Sequence, residues 1–294
     1  MLSKFLDPKN DVAFRKIFGN EKNRDILIHF LNDMLIFKER KPITEVQFLK
    51  TIQDPEIAAK KTSIVDLMCT DQDGNRYIVE MQVAKEKGFT KRAQYYAAKA
   101  YGSQLKISEK YQNLKEVIFL AIADFVMFPN KVAYKSDHVI LDKDSLEHDL
   151  RDFSFTFLEL GKFNKKIDEL SSIIERWSYF FKHAEETSKE DLVKIIGNEV
   201  IIQRAYEELD RFNWNEEELT AYEAAIKKQM DYEAAMEQKY DDGKAEGKAE
   251  GKAEGRMEEK ILIAKKMLSQ NIAIDTIAEL TGLTIQQIKE LITI

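Results

Sequence analysis

The chain has few of the residues that staple or punctuate a fold: one cysteine, four prolines and four histidines in 294 residues. With Cys69 alone no internal disulfide can form, which fits a reducing compartment. His29, His138, His148 and His183 are scattered, and none stands at metal-ligand spacing with Cys69, which argues against a zinc site. No apolar run approaches the ~20 residues that span a bilayer. The opening residues, MLSKFLDPKNDVAF, carry neither the apolar stretch nor the small-residue cleavage site of a secretion signal. The expectation is a soluble, cytoplasmic protein with no membrane contact. Basic charge is also short: 45 Lys and Arg stand against 52 Asp and Glu, a net charge of −7. Attraction of a polyanion by the overall field is therefore excluded, and any such contact must come from a local basic patch.

Apolar residues are plentiful. At 44% hydrophobic, the chain can bury a sizeable core. Three- and four-residue steps (Phe14, Ile17, Phe18, then Ile26, Leu27, Phe30, Leu31, Met34) predict helix over 11–37, with Gly19-Asn20 as a break. A strand is expected over 45–52, a helix over 89–111, and strands over 117–126, 138–141 and 153–160. The order helix, strand, hairpin, helix, strand implies an α/β fold with a mixed sheet.

The hairpin is the most informative segment. Two β-rich runs, SIVDLMCT (63–70) and RYIVEMQV (76–83), flank DQDGN. A three-residue loop between Asp71 and Asn75, with Gly74 left-handed, sets the register. Asp66 then falls opposite Glu80, Ile64 opposite Gln82, and Val65, Leu67 and Cys69 line the other face against Met81, Val79 and Tyr77. Both faces are largely apolar, as in a covered sheet. A slip of one residue would undo the match.

Asp66 and Glu80 thus lie within apolar stretches and face each other. Two buried carboxylates at matched positions repel, and burial without a partner is costly. A cation between them, or a lysine or arginine paired with them, would satisfy both, and the residues alone leave either open. Hard oxygen ligands of this kind suit Mg2+, completed by water and a phosphate. Glu80 and Gln82 share one strand face.

The D-x(13)-E-x-Q pattern on a hairpin in an α/β core resembles the PD-(D/E)XK nuclease superfamily. The opening DPKNDVAFRKIFGN, the ITEVQFL stretch and the KRAQYYAAKAY helix narrow the resemblance to the bacterial recombination-promoting nuclease and transposase-like family, Rpn. It covers roughly residues 5–240. It implies a restriction-endonuclease-like mixed-sheet core flanked by helices, and a Mg2+-dependent endonuclease, with Mn2+ as a substitute, acting on DNA. By the resemblance, Asp66 and Glu80 are metal ligands and Gln82 is a catalytic position that the superfamily usually gives to lysine. Glutamine supplies no charge, although its amide can orient a water. Asp11 matches an N-terminal acidic position and is a candidate third carboxylate; a helix N-cap at Asn10 or Asp11 is the other reading. The alternative function is a catalytically weak or inactive nuclease-fold module that binds DNA or protein.

A basic stretch follows the hairpin: Lys85, Lys87, Lys91, Arg92 and Lys99 against Glu86 alone. Lys85, Lys91, Arg92, Tyr96 and Lys99 are the candidate DNA contacts, positioning a backbone without reading sequence. Tyr95 and Tyr101 read as packing residues. The chain divides on this reading into a nuclease-like core (1–163), a helical extension (164–242), a GKAE-repeat linker (243–256) and a small helix-turn-helix-like tail (257–294). In the tail, Asp275 and Thr284 are candidate caps around Gly282. With five basic and five acidic residues from Arg256 to Ile294, the tail suits protein contact, such as dimerisation, better than groove reading.

Overall fold

The computed structural model describes residues 3–35, 41–50, 65–105 and 110–292. By contacts the chain divides into two units, Met1–Ile226 and Lys227–Ile294.

The first unit is built on a six-stranded mixed sheet, in the order β1-β2-β3-β4-β6-β5. Its strands are β1 (Val46–Phe48), β2 (Leu67–Asp71), β3 (Arg76–Gln82), β4 (Val117–Ala123), β5 (Lys135–Val139) and β6 (Phe153–Glu159). β3, β4 and β6 run parallel, while β1–β2, β2–β3 and β5–β6 are antiparallel. All seven residues of β4 are buried, which explains its unbroken apolar run: a parallel strand covered on both faces has no polar side to show.

The hairpin register is the expected one. Leu67 pairs with Val79, Met68 with Ile78, Cys69 with Tyr77 and Thr70 with Arg76. The turn closes through Asp71 N–H to Asn75 O at 3.1 Å, and Gly74 adopts φ +86°. The Asp71 carboxylate accepts from the N–H groups of Asp73 and Asn75, both at 2.9 Å. The expected pairing of Ile64 lies outside the described residues.

Each sheet face has its own cover. Helix α3 (Phe89–Gly102) lays Phe89, Ala93, Ala97 and Ala100 on Ile78, Phe119, Ala121 and Phe157. The alanines let the helix axis approach the strands closely. The opposite face, with Leu67, Cys69, Tyr77, Val79, Met81 and Leu120, is covered by α1 (Asp11–Phe18), α2 (Arg24–Met34), α4 (Ile173–His183) and α6 (Val200–Leu209). α1 buries Ala13, Phe14, Ile17 and Phe18 and leaves Asp11 and Arg15 exposed. Phe18, Phe30, Trp177 and Phe181 stack within 4.9–6.5 Å of one another, so α1 is anchored by large apolar groups, each contributing roughly 1.5–3 kcal/mol on burial.

Some boundaries differ from the sequence reading. The break expected at Gly19-Asn20 is present, with a 3-10 turn at Glu21–Asn23 joining α1 to α2, whereas the helix expected over 89–111 ends at Gly102. Tyr95 is 50% exposed and does not pack in the core; Tyr101 does pack, on Phe153. The short α5 (Lys189–Ile196) lies between α4 and α6 and buries Ile195.

Helix α7 (Glu216–Ser269) runs through the GKAE repeat without interruption. Its last turns pack with α8 (Ile274–Thr281) and α9 (Ile285–Ile292) around Ala264, Ile277, Leu283 and Ile288. The Thr284 hydroxyl caps α9, accepting from Gln287 N–H at 3.2 Å. The start of α8 corrects the expectation: Ala273 stands at its cap, and Asp275 falls in the first turn, favourable to the helix dipole without a capping bond. No helix among the described residues is long and apolar enough to cross a membrane.

Candidate active site

The site is assembled where β2 begins and β3 ends. The ladder stops at Leu67–Val79, one residue short of Asp66. Asp66 sits in a bend, and its carboxylate turns back to accept from Met81 N–H at 2.8 Å. Its own N–H points at Glu80 Oε2, 3.4 Å away. The two carboxylates are therefore brought together by side-chain-to-backbone bonds across the strand end, with Asp66 off the ladder itself.

Glu80 is only 6% exposed and Gln82 8%. Burial pushes the Glu80 carboxyl up to about 8, with the Asp66 charge adding to the effect and Arg92 opposing it. Burial likewise pushes Asp66 up to about 6; the Met81 N–H, Arg15 and Arg92 oppose this, and the Asp11 charge adds to it. The basic partners foreseen as one solution are present. Arg92 Nη2 lies 3.4 Å from Glu80 Oε1, and Arg15 Nη2 lies 3.8 Å from Asp66 Oδ1. Both arginines oppose the effect of burial without reversing its direction.

Gln82 has both ends of its amide engaged. Nε2 donates to Ala84 O at 2.7 Å, and Oε1 accepts from Arg92 Nη2. Arg92 Nη1 also donates to Glu86 at 2.7 Å.

The opening DPKND segment is a turn that delivers α1 to this edge. Asp7 accepts from Lys9 N–H at 2.9 Å, and Asn10 caps α1 by accepting from Val12 N–H at 2.9 Å. The cap is Asn10, so the Asp11 side chain is left exposed in the first turn. Its charge is felt at both Asp66 and Glu80. Lys9 pairs with Asp124 at 2.9 Å, and Asp124 N–H donates to Gln82 O at 3.0 Å, which ties the turn to the ends of β3 and β4.

Arg15 is the residue that sequence reasoning missed. It stands four residues after Asp11, on the solvent face of an amphipathic helix, and that spacing was the available signal. Lys85 and Lys91 are exposed, while Tyr96 and Lys99 are half-buried on α3.

A second cluster stabilises the same strand ends. Glu159, fully buried at the end of β6, accepts from Met127 N–H (2.6 Å), Phe128 N–H (3.0 Å) and Lys162 Nζ (2.7 Å). Gly161 lies so close to this loop that a Cβ would meet Phe125 C at 2.9 Å.

Does this donor set fit a divalent cation? Among the described residues no group of three or more His, Cys, Asp or Glu converges as a metal cage. Mg2+ is commonly held by one or two carboxylates plus water and substrate phosphate. The half-buried Asp66 and buried Glu80 carboxylates, held together at the strand ends, meet that description. The residues fit.

A mixed sheet with a parallel β3–β4–β6 centre, helices on both faces, and an Asp/Glu pair at the hairpin's open end define a PD-(D/E)XK nuclease fold. More narrowly, the chain belongs to the family described as PD-(D/E)XK nuclease family transposase, whose profile matches residues 8–239. No curated protein and no solved structure matches the chain.

Proposed function

We propose that this chain is a Mg2+-dependent DNA endonuclease, accepting Mn2+ as a substitute, that hydrolyses phosphodiester bonds with little sequence preference in recombination or transposition. The observation that carries the reading is the Asp66–Glu80 pair at the open end of the hairpin, with Glu80 buried, Asp66 held by the Met81 N–H, and the Asp66 N–H pointing at Glu80. Asp66 and Glu80 would hold the ion. When bound, such an ion supplies positive charge to the scissile phosphate and makes water easier to deprotonate. The Met81 N–H fixes one Asp66 oxygen, and Asp66 N–H steadies Glu80, so the ligands are positioned in advance. Lys85, Lys91 and Lys99 would contact backbone phosphates, which positions a duplex without reading bases. Tyr96, one turn after Arg92 on the same helix, would stand beside them.

Purified protein should convert supercoiled plasmid to nicked and linear forms with Mg2+, on templates of unrelated sequence. Cleavage confined to one site, or none with Mg2+ or Mn2+, sinks this reading.

The C-terminal helical region is proposed as a homodimer contact. On α7 the side chains of Met230, Met236 and Tyr240 are 47–68% exposed, and a second copy would cover them. Sedimentation of the full chain should give a dimer that Met236→Glu with Tyr240→Glu dissociates; an unchanged sedimentation coefficient contradicts this.

A further inference from the structure

The carboxylate pair accounts for where a cation would bind, not for how the charge that develops on a phosphoryl group during cleavage is met by the protein itself. That charge calls for a fixed donor close to the reacting centre. Gln82 is neutral, and both ends of its amide are engaged. What it holds is a guanidinium. Arg92 enters from the second turn of the helix at 89–102, after Gly88, which takes φ +83° at the cap. Its carbon Cζ lies 4.9 Å above the Phe89 ring. Nη2 donates to Gln82 Oε1 and lies 3.4 Å from Glu80; Nη1 donates to Glu86 at 2.7 Å. Its buried Nε has no hydrogen-bond partner in the structure. A solvated surface arginine has no such set of fixed neighbours, and Lys85, Lys87 and Lys91 nearby are simply exposed.

We propose that Arg92 is the catalytic cation of this site, contacting the scissile phosphate, and that Gln82 is the positioning residue that holds it. The proposal rests on the nuclease reading above. A guanidinium has donors only, so the Gln82 oxygen must face it. A lysine at position 82 would set like charges against each other, which makes a neutral acceptor on the strand and a cation from the helix one unit. Of the two acids on Arg92, Glu86 has a side chain 34% exposed and Glu80 one only 8% exposed. Glu86 therefore occupies the accessible edge of the fork, the edge a substrate phosphate would take in its place.

The test compares Arg92→Gln, Arg92→Lys, Gln82→Lys and the double variant Gln82→Lys/Arg92→Gln, each confirmed folded by thermal melting. Two readouts are used: plasmid cleavage with Mg2+, and Mn2+ binding by calorimetry. Arg92→Gln should lose about 100-fold or more in kcat, yet bind Mn2+ at least as tightly as the wild type, because a competing cation has left Glu80. Arg92→Lys should regain part of the loss. The double variant should exceed Arg92→Gln by about tenfold, since it restores a cation, whereas Gln82→Lys alone should fall below the wild type. Wild-type cleavage retained in Arg92→Gln, or a double variant no better than Arg92→Gln despite normal Mn2+ binding, overturns the proposal. A wild type that neither binds Mn2+ nor cuts overturns the nuclease reading, and the role of Arg92 with it.

Discussion

Asp66→Asn and Glu80→Gln are each expected to lower DNA cleavage by about a thousandfold or more while leaving the ion-free protein more stable than the wild type. Each removes one of the two proposed carboxyl ligands, and neither amide offers the charge an ion needs. The gain in stability follows from the direction of the pKa shifts. Both carboxyls are raised in the folded protein, Glu80 to about 8 and Asp66 to about 6. Between the ordinary carboxylate range and those values, the folded chain binds more protons than the unfolded one. Stability therefore falls as pH rises through that window. In the wild type without divalent ions, Tm should decline from about pH 5 to about pH 8; in Glu80→Gln most of that decline should vanish. A purely structural pair would behave in the opposite way, with the variants losing stability. Circular dichroism melts across the pH range, beside a plasmid assay, separate the two. Variants that melt lower and cut normally would remove the pair from the chemistry.

The second large effect is on the fold. Glu159→Ala is expected to destabilise the protein by about 3–5 kcal/mol, the cost of breaking a buried ion pair on one side. Lys162, whose side chain is only 9% exposed, would keep its charge without its carboxylate partner, and the N–H groups of Met127 and Phe128 would lose their acceptor. Replacing both charges, as in Glu159→Leu with Lys162→Met, should recover part of the loss. Urea denaturation gives the comparison through the midpoint at constant slope. A midpoint for Glu159→Ala equal to the wild type would show that the pair contributes nothing.

Several features were legible in the sequence because local chemistry alone decides them. Asp71, Gly74 and Asn75 fix the hairpin register, since only a left-handed residue closes that loop, and the alternation of the strands does the rest. The mixed sheet showed in the order of helix, strand, hairpin, helix and strand. A cap for α1 could be placed at Asn10 or Asp11 from the start of the apolar steps, and the structure decides for Asn10. What was not legible depends on long-range packing. That Asp66 leaves the ladder and takes the Met81 N–H depends on where β2 frays, which no periodicity records. The Gln82–Arg92 bond joins a strand to a helix ten residues on and is set by the height at which α3 sits on its alanines. Arg15 reaches Asp66 only because the aromatic anchor of α1 fixes the helix rotation. Tyr95 looked apolar by type, yet the face buried by α3 is the one carrying Ala93, Ala97 and Ala100, and Tyr95, two residues from both Ala93 and Ala97, lies on the opposite side of the helix.

The most direct test of the central claim, that Asp66 and Glu80 form a divalent-cation site, is a calorimetric titration of the full chain with Mn2+ near neutral pH in buffers of different ionisation enthalpy. The account predicts binding whose apparent enthalpy varies with the buffer, because protons held by the raised carboxyls are released as the ion enters, and loss of that binding in Glu80→Gln. Binding of equal strength in the wild type and Glu80→Gln, or no binding by the wild type, would contradict it.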